Sequence, residues 1–377
     1  MKRIQTLDPS FLSLKDKLRR LPWDYFLLLA AVGMIGVTAL FSAGGGSWSP
    51  WALQHLIRFS VFFGGVIVMS LIHPRFWYAF AYPFYGLCVP MLVGVDIMGV
   101  IGMGAQRWIN LGFIQIQPSE LMKVALVLAL ARFYSHRTLE DTKQFSSLLV
   151  PVALIAVPVG LVMIQPDLGT GTVLLAAGIG IIFLAGAPLW WFGAGAAAGL
   201  AALPILWSLM HDYQRKRILT FIDPESDPLG AGYHISQSKI AIGSGGITGK
   251  GFLNGSQSHL DFLPEKQTDF VFTLWSEEWG LLGSLAVLAL VLGILFKLSS
   301  IARQSRTQFN RLLVMGLGIN YFLYIMINTA MVMGLIPVVG VPFPLLSHGG
   351  TAMMAVMLGF GFVASIAVHR DVRLPRG

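Results

Sequence analysis

Long apolar stretches recur along the chain, separated by short polar breaks. Runs near 23–43, 53–72, 76–95, 120–134, 147–165, 170–186, 188–208, 270–296, 309–333 and 345–368 are each suited to an apolar helix. A bilayer core takes about 20 residues in that form. The pattern predicts an all-α, polytopic integral membrane protein with about ten transmembrane helices. The whole of 1–377 reads as one transmembrane domain, with a tail over 1–22, a long loop over 209–268 between the seventh and eighth helices, and no room for a separate soluble domain.

Composition agrees: 55% of the 377 residues are hydrophobic and only 12% are charged, against about 25% charged in a soluble domain. A single cysteine, Cys88, excludes an intrachain disulfide. The net charge of +8 raises the question of nucleic acid, but the cations cluster between apolar runs and accompany no soluble binding fold, so nucleic acid is excluded as a partner. They read instead as topology signals. The tail carries Lys2, Arg3, Lys15, Lys17, Arg19 and Arg20, lacks a cleavage site of the signal-peptide kind, and is expected in the cytoplasm. Alternation from there puts Arg75, then Arg132, Arg137 and Lys143, then Lys297, Arg303, Arg306 and Arg311, and finally Arg370, Arg373 and Arg376 on the same side, as the positive-inside rule requires. Both termini then lie inside and 209–268 outside. Most carboxylates fall on the outer side, the first hint of an outward-facing site, although outer loops also need polar residues.

Four segments break the apolar pattern with dense polar, Gly and Pro residues, and all open outward in this topology: 102–123, 165–172, 213–270 and 334–351. Glu120 and Lys123, three apart at a helix start, share a face and can pair or hold a third charge. Pro118, Ser119 and Glu120 also make a well-formed helix start, which accounts for the acid but not for a lysine one turn deeper. Arg107 and Trp108 set a cation beside an aromatic platform suited to a phosphate and a sugar ring; Trp is equally an interfacial anchor. Asp167, before Leu168, Gly169 and Thr170, suits an N-cap.

The glycine-rich run over 243–251 suggests a phosphate loop. A Walker motif would need Gly at Ser244 and Ser or Thr at Gly251, so the match fails twice. Its backbone N–H groups can serve a diphosphate, with Lys250 beside them, or simply pack the loop. Asp269 stands at a water boundary against Phe270, Val271 and Phe272, an environment that raises a carboxylate pKa and suits a general base; an N-cap is the alternative. There is no His-x-x-x-His, Cys-x-x-Cys or Gly-x-Ser-x-Gly, so zinc, redox and serine-hydrolase chemistry lack support. No motif assigns a cofactor, and a divalent cation, magnesium or manganese, held by carboxylates and diphosphate oxygens is compatible with these residues.

The ordered motifs carry a resemblance. Arg107-Trp108 with Gln117-Pro118-Ser119-Glu120 and Lys123, Gln165-Pro166-Asp167-Leu168-Gly169-Thr170, the stretch 237–257, Leu263-Pro264-Glu265 with Thr268-Asp269-Phe270, Glu277-Glu278, and 337–350 with Ser347 resemble the SEDS (shape, elongation, division and sporulation) family over nearly the whole chain. The phrase over 223–234 resembles its rod-shape branch. The resemblance implies ten transmembrane helices and a peptidoglycan glycosyltransferase of the bacterial cytoplasmic membrane that polymerises lipid II during elongation and rod-shape maintenance. Its implied partners are a class B penicillin-binding protein transpeptidase and other membrane proteins of the elongation machinery. It further implies that the Asp269 position is essential and that the Glu120 and Lys123 positions line a central cavity. Two positions depart from the family pattern: Gln267 stands where His is usual, and His348 where Tyr is usual.

Nucleotide sugars stay in the cytosol, so an outward transferase needs a donor activated by a lipid diphosphate. The expected reaction is inverting hexosyl transfer with Asp269 as base, and with Lys123, Arg215 or Arg217 balancing the departing diphosphate. Lys250, Arg107 and Trp108 are further substrate contacts, Glu120 orients Lys123, and Asp167, Glu265 and Ser347 are secondary candidates. The rivals are a lipid II flippase and a non-enzymatic scaffold of the cell-wall machinery. A flippase often shows inverted repeats, which the chain lacks, and a scaffold leaves the buried charges unexplained.

Overall fold

A computed structural model of the chain describes residues 13–371, apart from 103, 104, 111, 113, 114, 166, 211, 224–229, 261 and 264. Lys2, Arg3, Pro166, Pro264, Arg373, Arg376 and the phrase over 224–229 thus lie outside the described residues. A short amphipathic helix, α1 (Leu14–Arg19), leads into α2 (Trp23–Ala43), α3 (Trp51–Ser70) and α4 (Pro74–Met98). Pro74 occupies the first turn of α4, where its missing N–H costs nothing, and the His73 side chain accepts from Arg75 N at 3.1 Å.

Three short antiparallel strands follow, β1 (Val100–Gly102), β2 (Ala105–Asn110) and β3 (Gln115–Ile116), with Val100 opposite Trp108 and Ile109 opposite Ile116. The strands are too short to leave a period in the sequence, and the hydrophobic pattern did not predict them. Next come α5 (Pro118–Tyr134), α6 (Ser146–Ile164), α7 (Leu168–Leu184) and α8 (Leu189–Leu209). The long loop over 209–268 contains α9 (Asp212–Ile222), α10 (Ala231–Ser244) and α11 (Ser256–His259). The chain closes with α12 (Val271–Gln304), α13 (Gln308–Val332) and α14 (Gly350–Val368).

Every predicted span has its helix. Among the described residues seven of them, α2, α3, α4, α6, α12, α13 and α14, are long and apolar enough to cross a membrane by themselves; α7 and the described stretch Leu189–Ile205 of α8 are apolar but shorter. The tenth, α5, sits in the middle: all side chains from 122 to 131 are buried, packed by α4, α6, α7, α13 and α14. Prolines stand inside helices at 83, 90, 151, 158 and 204. The carbonyl freed four residues before Pro83 accepts from Arg132 Nη1 (Ala79 O, 3.0 Å) and that before Pro158 from the Tyr85 hydroxyl (Leu154 O, 2.8 Å), as neighbouring helices in a membrane can arrange. Leu27, Ile57, Val61, Leu87, Leu292 and Phe296 point outward, as lipid-facing side chains do.

Two boundaries differ from expectation, and both shape the site. The last span starts at Gly350 rather than near 345, leaving 345–349 as loop. The eighth is two helices joined at Gly280 (φ 63°, ψ −159°), a conformation open to glycine; a Cβ there would also stand 2.6 Å from Ile247 O. The short first half, 271–279, is almost wholly buried, and only the second half runs long and lipid-exposed.

Candidate functional site

The glycine-rich loop is spent on that break. Lys250 N and Gly251 N donate to the Glu277 and Glu278 carbonyls (3.1 and 3.0 Å), and the Gly246 and Ile247 carbonyls accept from Leu281 N and Leu282 N (2.9 and 3.1 Å). The loop therefore finishes one half-helix and starts the next, and the diphosphate cradle considered for it is not what these N–H groups form. Lys250 is engaged too: its Nζ donates to Glu277 Oε1 at 2.7 Å and to Ser256 Oγ at 2.8 Å.

Half-helix 271–279 carries Asp269 just ahead of it. Its N-cap is Phe270 with no side-chain hydrogen bond, so Asp269 caps nothing. The loop over 265–270 is pinned from several sides. Asn328 Nδ2 of α13 donates to the carbonyls of Asp269 (2.8 Å) and Val341 (2.7 Å). Ser347 Oγ donates to Thr268 O and accepts from Phe343 N (2.8 Å), and His348 N donates to Gln267 O (2.8 Å). Glu265, at φ 54°, accepts Thr268 Oγ1 at 3.0 Å through its carboxylate. Gly340 (φ 70°) lies alongside, where a Cβ would come within 3.4 Å of Asp269 Oδ2.

The Asp269 carboxylate accepts no hydrogen bond among the described residues. It is half-buried, with part of its surface open. Burial chiefly, then the charge of Glu265, push its pKa up to about 6, against the opposing pull of Arg217. Arg217, on α9, also donates to Val338 O at 3.1 Å, so it belongs to this centre.

A second centre lies within the bundle. Lys123 Nζ donates to Glu120 Oε1 at 2.7 Å with both side chains buried, and stands 4.2 Å from the Tyr324 ring centroid. The Tyr324 hydroxyl donates to Glu120 Oε2. Tyr324 also lines a small crevice with Phe343, Ser347, Gly349, Met353 and Val356, so the residue that holds Glu120 shares a wall with the loop that pins Asp269; Glu120 and Lys123 themselves are not in that wall.

Asp167 is an N-cap, accepting from Thr170 N (3.1 Å) and Oγ1 (3.0 Å), and it also meets Gln117 Nε2 (3.4 Å) and Arg107 Nε (3.7 Å). It thereby clamps the β-hairpin to α7, leaving Trp108 half-buried beside Arg107 in β2. A Cβ at Gly169 would stand 2.6 Å from Val339 O, so α7 also abuts the loop beside Asp269. All four polar segments thus converge on one end of the bundle. Arg215 does not join them: its Nε and Nη2 donate to the Trp207 and Ser208 carbonyls (3.0 and 2.8 Å), finishing α8. Tyr324 and Asn328 escaped the sequence reading, although their spacing of four in an apolar helix places them on one face.

Among the described residues no group of three or more His, Cys, Asp or Glu side chains could hold a metal ion. Asp269 and Glu265 supply two neighbouring carboxylates. That fits a magnesium-type ion, which takes one or two carboxylates and completes its shell with phosphate oxygens and water.

These features define a polytopic membrane protein with a polar, carboxylate-centred site at one end of its helical bundle. The model of the FtsW/RodA/SpoVE cell cycle protein family matches residues 19–372, and the chain belongs to that family. It is 47% identical over 310 residues to the Escherichia coli (strain K12) peptidoglycan glycosyltransferase MrdB, covering 81% of this chain and 83% of that protein. To the Helicobacter pylori (strain ATCC 700392 / 26695) MrdB it is 36% identical over 320 residues, covering 79% and 80%. Among solved structures, the Thermus thermophilus rod shape determining protein RodA shares 28% identity with a TM-score of 0.67, over 94% of this chain and 98% of that one. A chain from a peptidoglycan synthase complex that coordinates polymerization and crosslinking shares 30% identity with a TM-score of 0.79, over 93% and 98%.

Proposed function

We propose that this chain is a peptidoglycan glycosyltransferase of the bacterial cytoplasmic membrane, polymerising lipid II into glycan strands on the outer face during cell elongation. The observation that carries the reading is the Asp269 carboxylate, which takes no hydrogen bond among the described residues, in a loop that Asn328, Ser347 and His348 hold from outside. A carboxylate kept available near neutral pH is what a general base requires.

In the reaction, Asp269 takes the proton of the acceptor sugar's 4-hydroxyl, the oxygen attacks the donor's anomeric carbon with inversion, and the bond to undecaprenyl diphosphate breaks. Arg217, the cation nearest Asp269 in electrostatic effect, offsets charge growing on the leaving diphosphate. Glu120 and Tyr324 hold Lys123 as a second charged centre, and Tyr324 lines the adjoining crevice, so Lys123 meets an anion there only by sharing its charge with Glu120. A divalent ion at Asp269 and Glu265 would supply further charge neutralisation. A class B penicillin-binding protein is the partner that fits, because polymer made outside the membrane must be cross-linked there; similarity to a chain of the synthase complex supports the pairing.

Purified protein given labelled lipid II should yield glycan strands. Transbilayer movement alone would identify a flippase, and neither activity a scaffold. Reporter fusions at 144 and 227 should report opposite compartments; the same compartment for both would remove the outward site.

A further inference from the structure

Arg58 lies about two turns, roughly 10 Å, into α3. A charge at that depth is costly and usually faces a partner or a pathway. Among the described residues Arg58 makes no ion pair; its hydrogen bond is from Nη1 to His348 Nε2 at 3.4 Å. The guanidinium lies against the start of α14, where a Cβ at Gly350 would be 3.5 Å from Nη1. That helix end carries no side-chain cap, since its N-cap is Gly349. Two positive features, a guanidinium and a helix N-terminus, therefore face each other without a carboxylate between them, an arrangement that an anion would relieve.

The neighbouring imidazoles add to this. Burial, then the charge of Arg58, lower the pKa of His348, so its ring is neutral. Arginine can only donate, so His348 Nε2 accepts and the proton sits on Nδ1, which is buried and among the described residues has no hydrogen-bond partner. His55, 1% exposed and an electrostatic neighbour of both, contacts Leu345 O through Nε2 at 3.0 Å and leaves its own Nδ1 unpartnered. The cluster is tied to the reaction centre, because His348 N holds Gln267 O and Gly349 lines the crevice under the Asp269 loop.

We propose that Arg58, braced by His348 at the start of α14, binds the diphosphate of a polyprenyl-linked sugar, distinct from the diphosphate served by Arg217. The inference rests on the glycosyl transfer proposed above. Strand growth joins two lipid diphosphates, one leaving and one kept, so two anion sites are needed. Arg217 lies on the Asp269 side of the pinned loop, and Arg58 reaches the same loop through His348.

The full chain in phosphatidylcholine nanodiscs, titrated with undecaprenyl diphosphate and read by native mass spectrometry, should bind two equivalents. Arg58→Gln should bind one, with the lost site weakened about tenfold or more, and Arg58→Lys should retain part of it. His348→Phe, which keeps the backbone bond to Gln267, should weaken the same site even if Arg58→Gln accumulates poorly. Arg217→Gln should lose the other equivalent. Two unchanged equivalents in Arg58→Gln, a single equivalent in the wild type, or displacement by phosphatidylglycerol as effective as by the diphosphate would each overturn the proposal. A wild-type protein that binds two equivalents but makes no glycan would instead overturn the polymerase reading and leave the site standing.

Discussion

Asp269 and Glu277 lie one half-helix apart and are treated in opposite ways. Glu277 is completely buried and saturated: Oε1 accepts Lys250 Nζ (2.7 Å) and Gln257 N (2.8 Å), while Oε2 accepts Ser258 N (3.2 Å) and Oγ (2.9 Å). Asp269 is held through its backbone carbonyl, and among the described residues its carboxylate accepts no hydrogen bond. Glu278 falls between, with Oε1 taking Ser42 and His259. The same functional group thus serves as a tether where donors converge on it and as an available base where they are withheld.

The comparison breaks first at Asp269→Asn. Asparagine matches the carboxylate in shape, and since Asp269 caps no helix the variant should insert and melt like wild type. Polymerisation of lipid II should nevertheless fall by about 10²-fold to 10⁴-fold. Wild-type turnover by a well-folded variant would remove Asp269 from the chemistry.

The next largest effect is expected at Lys123, whose charge is buried against Glu120. Lys123→Met leaves Glu120 buried without its cation, costing about 3–5 kcal/mol of stability and most of the activity; Lys123→Arg should keep part of both. Thermal unfolding and the polymerisation assay together test this, and full activity in Lys123→Met would make the pair purely structural. Glu277→Gln should show the reverse balance. Weakening a charge-assisted set of bonds should cost about 1.5–3 kcal/mol in stability, while turnover measured well below the melting temperature stays close to wild type.

The finest test is pH. A base whose pKa is raised to about 6 is active when deprotonated, so the rate should climb about tenfold per unit below that value and level off above it. Glu265 raises that pKa and Arg217 lowers it, so Glu265→Gln should move the midpoint down and Arg217→Gln should move it up, each by less than about one unit. Midpoints that do not move in these opposite directions would dissociate the profile from Asp269.

Much of this was legible along the chain. The spans follow from apolar length, because a bilayer admits few alternatives to a helix of about 20 residues. Glu120 and Lys123 were readable as partners because a spacing of three is a contact fixed by helix geometry. The capping by Asp167 was equally local. Lys250 and Arg215 were not readable in the same way. Each is a cation in a polar loop, and only the packing shows that one answers Glu277 and the other ends α8. Nor does any local rule reveal that the predicted eighth span breaks at Gly280, since the break exists to admit the 243–251 backbone from a distant part of the chain. Sequence by itself determined the membrane architecture and the pairs set by helical period. Tertiary structure alone decided which carboxylate goes unsatisfied, because hydrogen bonding depends on donors brought from α13, the 337–349 loop and the glycine-rich loop, at separations no periodicity encodes.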